Sequence, residues 1–176
     1  MSPVEVMYRD HKGVLEYLGT QQEVSHLATL QTTLPKVLLL AAASEFEVRV
    51  CRHLRDHVTE NVLDSKIIEL VDQKVIRFQY HKLFDWDAGN AGKFWSLFGR
   101  EFKLGMKQLL TADDDLATHT SAFMEIGSLR NNMVHNNYAK FVLMKTLDEV
   151  YELYLSADLF VKRIPELLQM NFERSD

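Results

Sequence analysis

One stretch of the chain combines residue types that can cleave a phosphodiester without a metal ion. Arg130 is followed directly by Asn131, and four residues separate it from His135. Histidine titrates near neutral pH and serves as a general acid or base, and a guanidinium offers paired donors to two phosphoryl oxygens. These two functions are needed when the 2′-hydroxyl of RNA attacks the adjacent phosphorus, and Asn131 could orient the phosphate or the imidazole. The segment therefore supplies candidate residues for the cleavage of RNA without a metal ion.

The spacing of an arginine and a histidine is weak evidence by itself, because it recurs by chance. Arg52 and His57 have the same separation, yet they lie in an amphipathic helical pattern and are interpreted as part of a solvated helix face. The segment at 130–135 differs because Asn131 directly follows its arginine and Val134 directly precedes its histidine. A helical run of apolar residues leads into it: Phe123, Ile126 and Leu129. The chemistry is therefore assigned to 130–135.

The segment RNNMVHNNY, residues 130–138, resembles the Arg-x4-6-His motif of HEPN domains, in which a polar residue, commonly asparagine, follows the arginine. The stretches LAAASEFEVRV (40–50) and KFWSLFGREF (93–102) are similar to HEPN segments as well. The resemblance covers about residues 36–165 and is closest to the groups labelled RiboL-PSP-HEPN and MAE-28990-like. It implies a HEPN-type helical bundle with long antiparallel helices. It also implies an endoribonuclease of the toxin or antiphage kind, which leaves 2′,3′-cyclic phosphate and 5′-hydroxyl ends.

The same resemblance leaves a second function open. Some HEPN domains are catalytically inactive modules for dimerisation or for binding a nucleotide or protein, and Arg130 and His135 would then support folding or bind a nucleotide. The minimal HEPN toxins carry His-x-Tyr, whereas Asn136 and Asn137 separate His135 from Tyr138 here, so regulation through that tyrosine is not expected. An antitoxin or regulatory partner would suit a toxin, although no residue of the chain indicates one.

The resemblance further implies an active-site carboxylate at Glu47, because HEPN proteins often place an acidic residue on this helix. Glu47 lies one step off the apolar stripe, with Ser44 one turn before it on the same flank. From there it could orient Arg130 or His135. An ordinary solvated or helix-pairing glutamate is the alternative.

Helix geometry constrains how Arg130 and His135 can meet. On a continuous helix, five residues leave the two side chains about 140° apart around the axis. Either the helix breaks at the Asn-rich end, at Asn136 and Asn137, or the site draws residues from two chains. HEPN proteins pair two motifs across a two-fold axis, so the resemblance favours a homodimer with a composite cleft.

Binding of RNA requires a local basic patch, because the chain has a net charge of -5 and is unsuited to broad non-specific contact with phosphates. Arg100, Lys103 and Lys107 share one face of a predicted helix, and Lys93 is nearby. These four are the candidate RNA-binding residues. A solvated basic face is the alternative.

The elements around the site are predicted to be helical throughout. Only three prolines and seven glycines occur, and long stretches carry helical spacing, so the fold class is all-α. A length of 176 residues suits a single domain, 1–176, with its core at about 36–165. Helices are predicted at 35–58, 65–80, 93–98, 100–110, after 113–115 and at 143–168. Residues 81–92 are predicted to be a loop pinned to the core by Phe84 and Trp86.

Local signals predict where these helices begin and end. Pro35 is placed in the first turn of the long helix, and Asp64 and Ser65 cap the next one. The acidic residues 113–115 are interpreted as a helix cap rather than a metal site. Pro165 should kink or end the last helix. The buried stripe of the helix predicted at 65–80 consists of Ile67, Val71, Val75 and Phe78.

Other residues argue against other classes of protein. Cys51 is the only cysteine, so no intramolecular disulfide is expected and a cytoplasmic location is favoured. His53 and His57 lie one helical turn apart, but they lack a third ligand and the glutamate of a zinc-protease motif, so no metal or cofactor is expected. The longest apolar run, 37–43, is too short to span a membrane, and the amino terminus does not resemble a signal peptide.

Overall fold

A computed structural model describes residues 1–77 and 80–172 of the chain. Within these residues the chain forms eight α-helices and no strand. The helices are α1 (Pro3–Thr20), α2 (Val24–Asn61), α3 (Ser65–Val71), α4 (Tyr80–Leu83), α5 (Gly92–Ser96), α6 (Arg100–Ala112), α7 (Asp114–His135) and α8 (Leu147–Leu168). A π-helical stretch, Asp72–Ile76, follows α3. The predicted all-α class is confirmed.

Polar contacts show how α2 and α8 run side by side. The carboxylate of Glu45 accepts a hydrogen bond of 2.9 Å from the hydroxyl of Tyr154, and one turn further along both helices Arg49 pairs with Asp158. Because the contacts advance together along both helices, α2 and α8 are parallel. Arg49 also pairs with Glu45 at 3.3 Å, so these half-buried charges have partners.

The contacts of α7 with α8 advance in opposite directions. Lys145, just before α8, pairs with Glu125 at 2.9 Å, whereas Arg163, late in α8, pairs with Asp113 at the start of α7 at 2.8 Å. The helices α7 and α8 are therefore antiparallel, as predicted, whereas α2 and α8 are parallel, so the predicted bundle of long antiparallel helices is only partly correct.

Aromatic side chains form the centre of the core between these helices. The ring of Phe123 lies 5.1 Å from the rings of Phe84 and Phe160 and 5.9 Å from that of Phe46, measured between centroids. All four side chains are essentially inaccessible to solvent. Burying one side chain of this size stabilises the fold by roughly 1.5–3 kcal/mol. The core also reaches Val4 in α1 and Leu168 at the end of α8.

The long helix begins earlier than the sequence predicted. Pro35 lies inside α2 rather than in its first turn, and α2 begins at Val24. A proline inside a helix removes one backbone hydrogen bond and costs about 3 kcal/mol. The segment before Pro35 stays helical because it packs against α1, which joins it through a tight connection.

By length and composition alone, α2 could cross a membrane. Core helices of water-soluble proteins meet the same criterion, and the side chains of Leu38, Leu39, Phe46 and Val50 are buried in the core of this chain. Cellular location therefore stays a prediction.

The buried stripe predicted for the helix at 65–80 is wrong. Ile67 and Val75 are 48% and 37% exposed, and α3 contains no buried residue. The wider π-helical turn after α3 shifts the register, so that Ile76, 3% exposed, turns inward instead. Phe78 lies outside the described residues.

Side-chain caps fix the starts of α3, α7 and α8. Asp64 accepts a hydrogen bond from the backbone of Lys66 at 2.9 Å, and Asp113 accepts one from Leu116 at 2.8 Å, as the sequence predicted. The last helix begins at Leu147 rather than at 143, because Thr146 and Glu149 form a reciprocal capping box there. Pro165 lies in the last turn of this helix.

Candidate active site

The segment from Arg130 to His135 forms the last turns of α7. The helix is continuous through His135, with Asn136 as its C-cap, and Asn137 has a φ of 58°, in the left-handed region that asparagine tolerates. The break allowed by the Asn-rich sequence therefore comes after His135. The side chains of Arg130 and His135 remain about 140° apart around the helix axis.

A cleft lies between three helices at this end of α7. Glu47 lines it from α2, Tyr80 and His81 from α4, and Arg130 and Asn131 from α7. The structure thus brings together three of the four predicted catalytic residues. The tertiary fold adds a tyrosine and a histidine to them.

Arg130 is half-buried in the wall of this cleft. Its Nη1 donates a hydrogen bond of 3.1 Å to the side-chain oxygen of Asn131, the residue that directly follows it. A guanidinium carries five N–H donors, so this bond leaves donors for an anionic group in the cleft. Asn131 therefore orients the arginine.

Glu47 and His81 face each other across the cleft, with 3.9 Å between Oε2 of the carboxylate and Nε2 of the imidazole. Burial lowers the pKa of His81 below its ordinary value, the positive charge of Arg130 lowers it further, and the charge of Glu47 partly opposes this shift. The imidazole is consequently neutral at neutral pH and able to accept a proton.

Tyr80 forms the floor of the cleft and is almost completely buried. Burial and the nearby charge of Glu47 raise the pKa of its phenol well above the ordinary value. The phenol therefore keeps its proton and serves as a hydrogen-bond donor rather than as a base.

Trp86 fixes the position of His81. Its indole Nε1 donates a hydrogen bond of 3.2 Å to the backbone carbonyl of His81. The indole ring packs directly on Gly127 of α7, where the β-carbon of any larger residue would overlap the ring. Through this contact α4, which carries His81, is packed against the helix that carries Arg130.

His135 is exposed at the end of α7 and does not line the cleft. It lies close enough to His81 for its positive charge to contribute to the lowered pKa of that residue. The two histidines therefore flank one region at the carboxyl end of α7.

The RiboL-PSP-HEPN family profile matches residues 15–170, which include every element of this cleft. The chain belongs to the RiboL-PSP-HEPN family. Neither a curated protein nor a solved structure matches the chain. HEPN domains are often ribonucleases, and family membership is consistent at this coarse level with an RNase-type or nucleotide-binding function.

The four basic residues predicted to bind RNA are exposed on this RiboL-PSP-HEPN chain, but none lines the cleft. Lys103 and Lys107 of α6 instead line a separate cavity beside the loop residue Asn90. The amine of Lys93 lies 3.5 Å from the backbone carbonyl of Phe84. Arg100 begins α6. Their role in RNA binding stays a prediction.

The sequence did not indicate that His81 and Tyr80 line this cleft. Their positions are separated from residue 130 by the whole stretch from 82 to 129, and no spacing pattern links them to Arg130. The one available signal was that they lie at the start of the loop predicted at 81–92, which the structure begins with the short helix α4 and in which Phe84 and Trp86 are buried as predicted. A histidine held beside a pinned loop is a candidate for a site at the loop's edge.

Arg52 and His57, the pair with the same spacing, lie on α2 away from the cleft lining, and Arg52 is exposed. In the described part of the chain, no three histidine, cysteine, aspartate or glutamate side chains are grouped so that they could hold a metal ion.

Proposed function

We propose that this chain is a metal-independent endoribonuclease of toxin or antiphage type, with Arg130 and His135 as its central catalytic residues. One observation carries this proposal: Arg130 and Asn131 line a cleft that Glu47 lines as well. Such a cleft combines a cation that can bind phosphate with a carboxylate and, at His81, an imidazole.

In the proposed reaction, the 2′-oxygen of one nucleotide attacks the adjacent phosphorus. Arg130 stabilises the negative charge that accumulates on the phosphoryl oxygens, and Asn131 holds the guanidinium in place by the 3.1 Å hydrogen bond. His135 exchanges a proton with the reacting oxygens. The products are a 2′,3′-cyclic phosphate and a 5′-hydroxyl end.

A second copy of the chain is part of the proposal. Because α7 is continuous, Arg130 and His135 of one chain point about 140° apart, and a two-fold partner would bring a second motif to the same region. Large apolar side chains close to His135 in the sequence are exposed and suit such an interface: Val134, Tyr138, Val142 and Met144.

The alternative function is a catalytically inactive module for dimerisation or for binding a nucleotide or a protein. The position of His135 outside the cleft lining favours this alternative, because a catalytic histidine must reach the phosphate. In such a module Arg130 would bind an anion without cleavage.

Incubation of the purified protein with mixed cellular RNA in EDTA separates the two functions. We expect the wild-type chain to cleave RNA, and Arg130→Ala and His135→Ala to lose activity by roughly 10²–10⁴-fold. Arg52→Ala and His57→Ala are matched controls, because they change the same residue types at the same spacing, and they should retain full activity. Binding of nucleotide without cleavage would support the inactive module.

A further inference from the structure

Transesterification of RNA requires two proton transfers, one from the attacking 2′-hydroxyl and one to the departing 5′-oxygen. A single histidine can hold only one of the two positions during the reaction. The cleft is lined by another histidine, His81, which no sequence motif indicated, whereas His135 lies outside the lining.

We infer that His81 is the general base of the reaction and that His135 is the general acid. This inference rests on the proposed ribonuclease function. His81 would accept the proton of the 2′-hydroxyl as the bond from the 2′-oxygen to phosphorus forms. His135, protonated beforehand, would donate its proton to the 5′-oxygen as the bond from that oxygen to phosphorus breaks.

The position of His81 fits the role of a base that acts beside the bound phosphate. It lines the same cleft as Arg130, whose guanidinium would hold the phosphoryl group. Glu47 faces its Nε2 at 3.9 Å and can stabilise the imidazolium that forms when the proton arrives. The imidazole is 44% exposed, so a nucleotide can reach it.

The charged groups around His81 favour a neutral resting state. From α2 the carboxylate of Glu47 favours the protonated form, whereas from α7 the charges of Arg130 and His135 oppose it. Tyr80, the neighbour on its own helix, remains a neutral phenol. Burial acts in the same direction as the two cations and is the largest effect on the pKa of His81. A base must be unprotonated before the reaction, and His81 meets this requirement.

The exposure of His135 fits the opposite role. It stands in the last turn of α7, outside the cleft lining and open to solvent. A general acid must carry its proton before the reaction, and an exposed imidazole can exchange protons with water between turnovers. The two histidines therefore differ in position, since His81 lines the cleft and His135 lies at the exposed end of α7.

His81 is also held by the fold rather than left to adjust freely. The indole of Trp86 binds its backbone carbonyl and packs on Gly127, one turn before Arg130 on α7. A base that acts beside a phosphate held by Arg130 benefits from a fixed position relative to that arginine.

A substrate with sulfur in place of the bridging 5′-oxygen tests the division of roles, since a thiolate leaves without needing a proton. On ordinary RNA we expect His81→Ala and His135→Ala each to lose roughly 10²–10⁴-fold. On the 5′-thio substrate His135→Ala should recover to near the wild-type rate, and His81→Ala should not. His57→Ala is the matched control and should behave as wild type on both substrates.

The pH dependence supplies a second readout. Wild type should show a bell-shaped profile of kcat/KM, and His81→Gln, which preserves the side-chain size and polarity, should lose the limb on the acidic side. Helicity measured by circular dichroism identifies any variant that fails to fold, and His81→Gln then replaces His81→Ala in the comparison.

Full activity of both His81 variants, with loss of activity in the Arg130 and His135 variants, would overturn the inference and leave the ribonuclease function standing. Rescue of His81→Ala rather than His135→Ala by the 5′-thio substrate would also overturn it, because the roles would be reversed. If the wild type does not cleave RNA, the ribonuclease function fails and the inference fails with it.

Discussion

The indole nitrogen of Trp86 donates its proton to the backbone carbonyl of His81 at 3.2 Å, while the ring of the same tryptophan covers Gly127. Three segments of the chain therefore depend on one aromatic side chain: the loop that contains Trp86, the short helix α4 and the helix α7. The place of His81 relative to Arg130 requires that residue 127 have no side chain.

Replacement of this glycine should disturb the cleft. The β-carbon of Gly127→Ala would overlap the ring of Trp86, so the ring must shift, and we expect a loss of roughly 1–3 kcal/mol in the free energy of unfolding. Tryptophan fluorescence should change and cleavage of RNA should fall. Gly13→Ala is the control, because a β-carbon at this helical position meets open space and should stabilise by up to about 1 kcal/mol. Equal stability of the two variants in urea would contradict the packing described.

Acid should destabilise the chain through the caps of α7 and α8. The ion pair with Arg163 and the backbone N–H of Leu116 lower the pKa of Asp113, and hydrogen bonds from Thr146 lower that of Glu149. Because both folded-state pKa values lie below those of the unfolded chain, this stability is fully present above about pH 4 to 5 and is lost as pH falls through the folded values.

Urea unfolding between pH 7 and pH 3 measures this effect. Asp113→Asn keeps a capping oxygen but cannot ionise, so its stability should vary less with pH than that of the wild type. Identical pH dependence of the two proteins would show that Asp113 does not contribute in the way its partners indicate.

The exposed loop after α7 provides a test of the proposed dimer. Met144 is 87% exposed, so Met144→Asp should leave the fold of one chain intact while placing a charge in the proposed apolar interface. Light scattering should show a dimer for the wild type and the 20.4 kDa monomer for the variant. Val24→Asp, a change at another highly exposed apolar residue, is the control and should remain dimeric. A wild-type chain that is monomeric at working concentration would contradict the dimer.

The basic residues of α6 provide a test of substrate binding apart from chemistry. Lys103→Ala combined with Lys107→Ala should weaken RNA binding and reduce its dependence on salt, because two contacts with phosphates are removed. We expect a higher KM with kcat nearly unchanged, since neither side chain lines the cleft. Lys66→Ala with Lys74→Ala removes the same charge elsewhere and is the control. An unchanged KM would show that this basic face of α6 is exposed to solvent and does not bind RNA.

Periodic spacing of apolar residues was sufficient to predict the long helices but not their limits. It identified the last helix, the pair of helices on either side of Gly99, and the loop before that pair. Gly99 has a φ of 106°, which suits the break between the two helices. It placed the start of α2 at Pro35, because proline is common in a first turn and the packing of α1 against the preceding segment has no local signature. The π-helical turn after α3 also has no local signature in the sequence, because one extra residue in a turn does not change the spacing of apolar residues recognisably.

The site was predictable where its residues share a motif or a family pattern. Arg130 and Asn131 are adjacent in the chain, and Glu47 was expected from the family resemblance, and the structure places all three on one cleft. His81 lines the cleft because of the course that the chain takes between α3 and α5. That course depends on the packing of Trp86 on Gly127. Contacts of this kind join distant positions, so one sequence cannot reveal them.

Cleavage of a matched pair of RNA oligonucleotides in EDTA, one of them with the 2′-hydroxyl removed at the cleavage site, tests the proposed reaction most directly. We expect the natural RNA to be cut to a 2′,3′-cyclic phosphate and the 2′-deoxy substrate to remain intact. Equal cleavage of both oligonucleotides, or a requirement for a divalent metal ion, would contradict the proposed reaction.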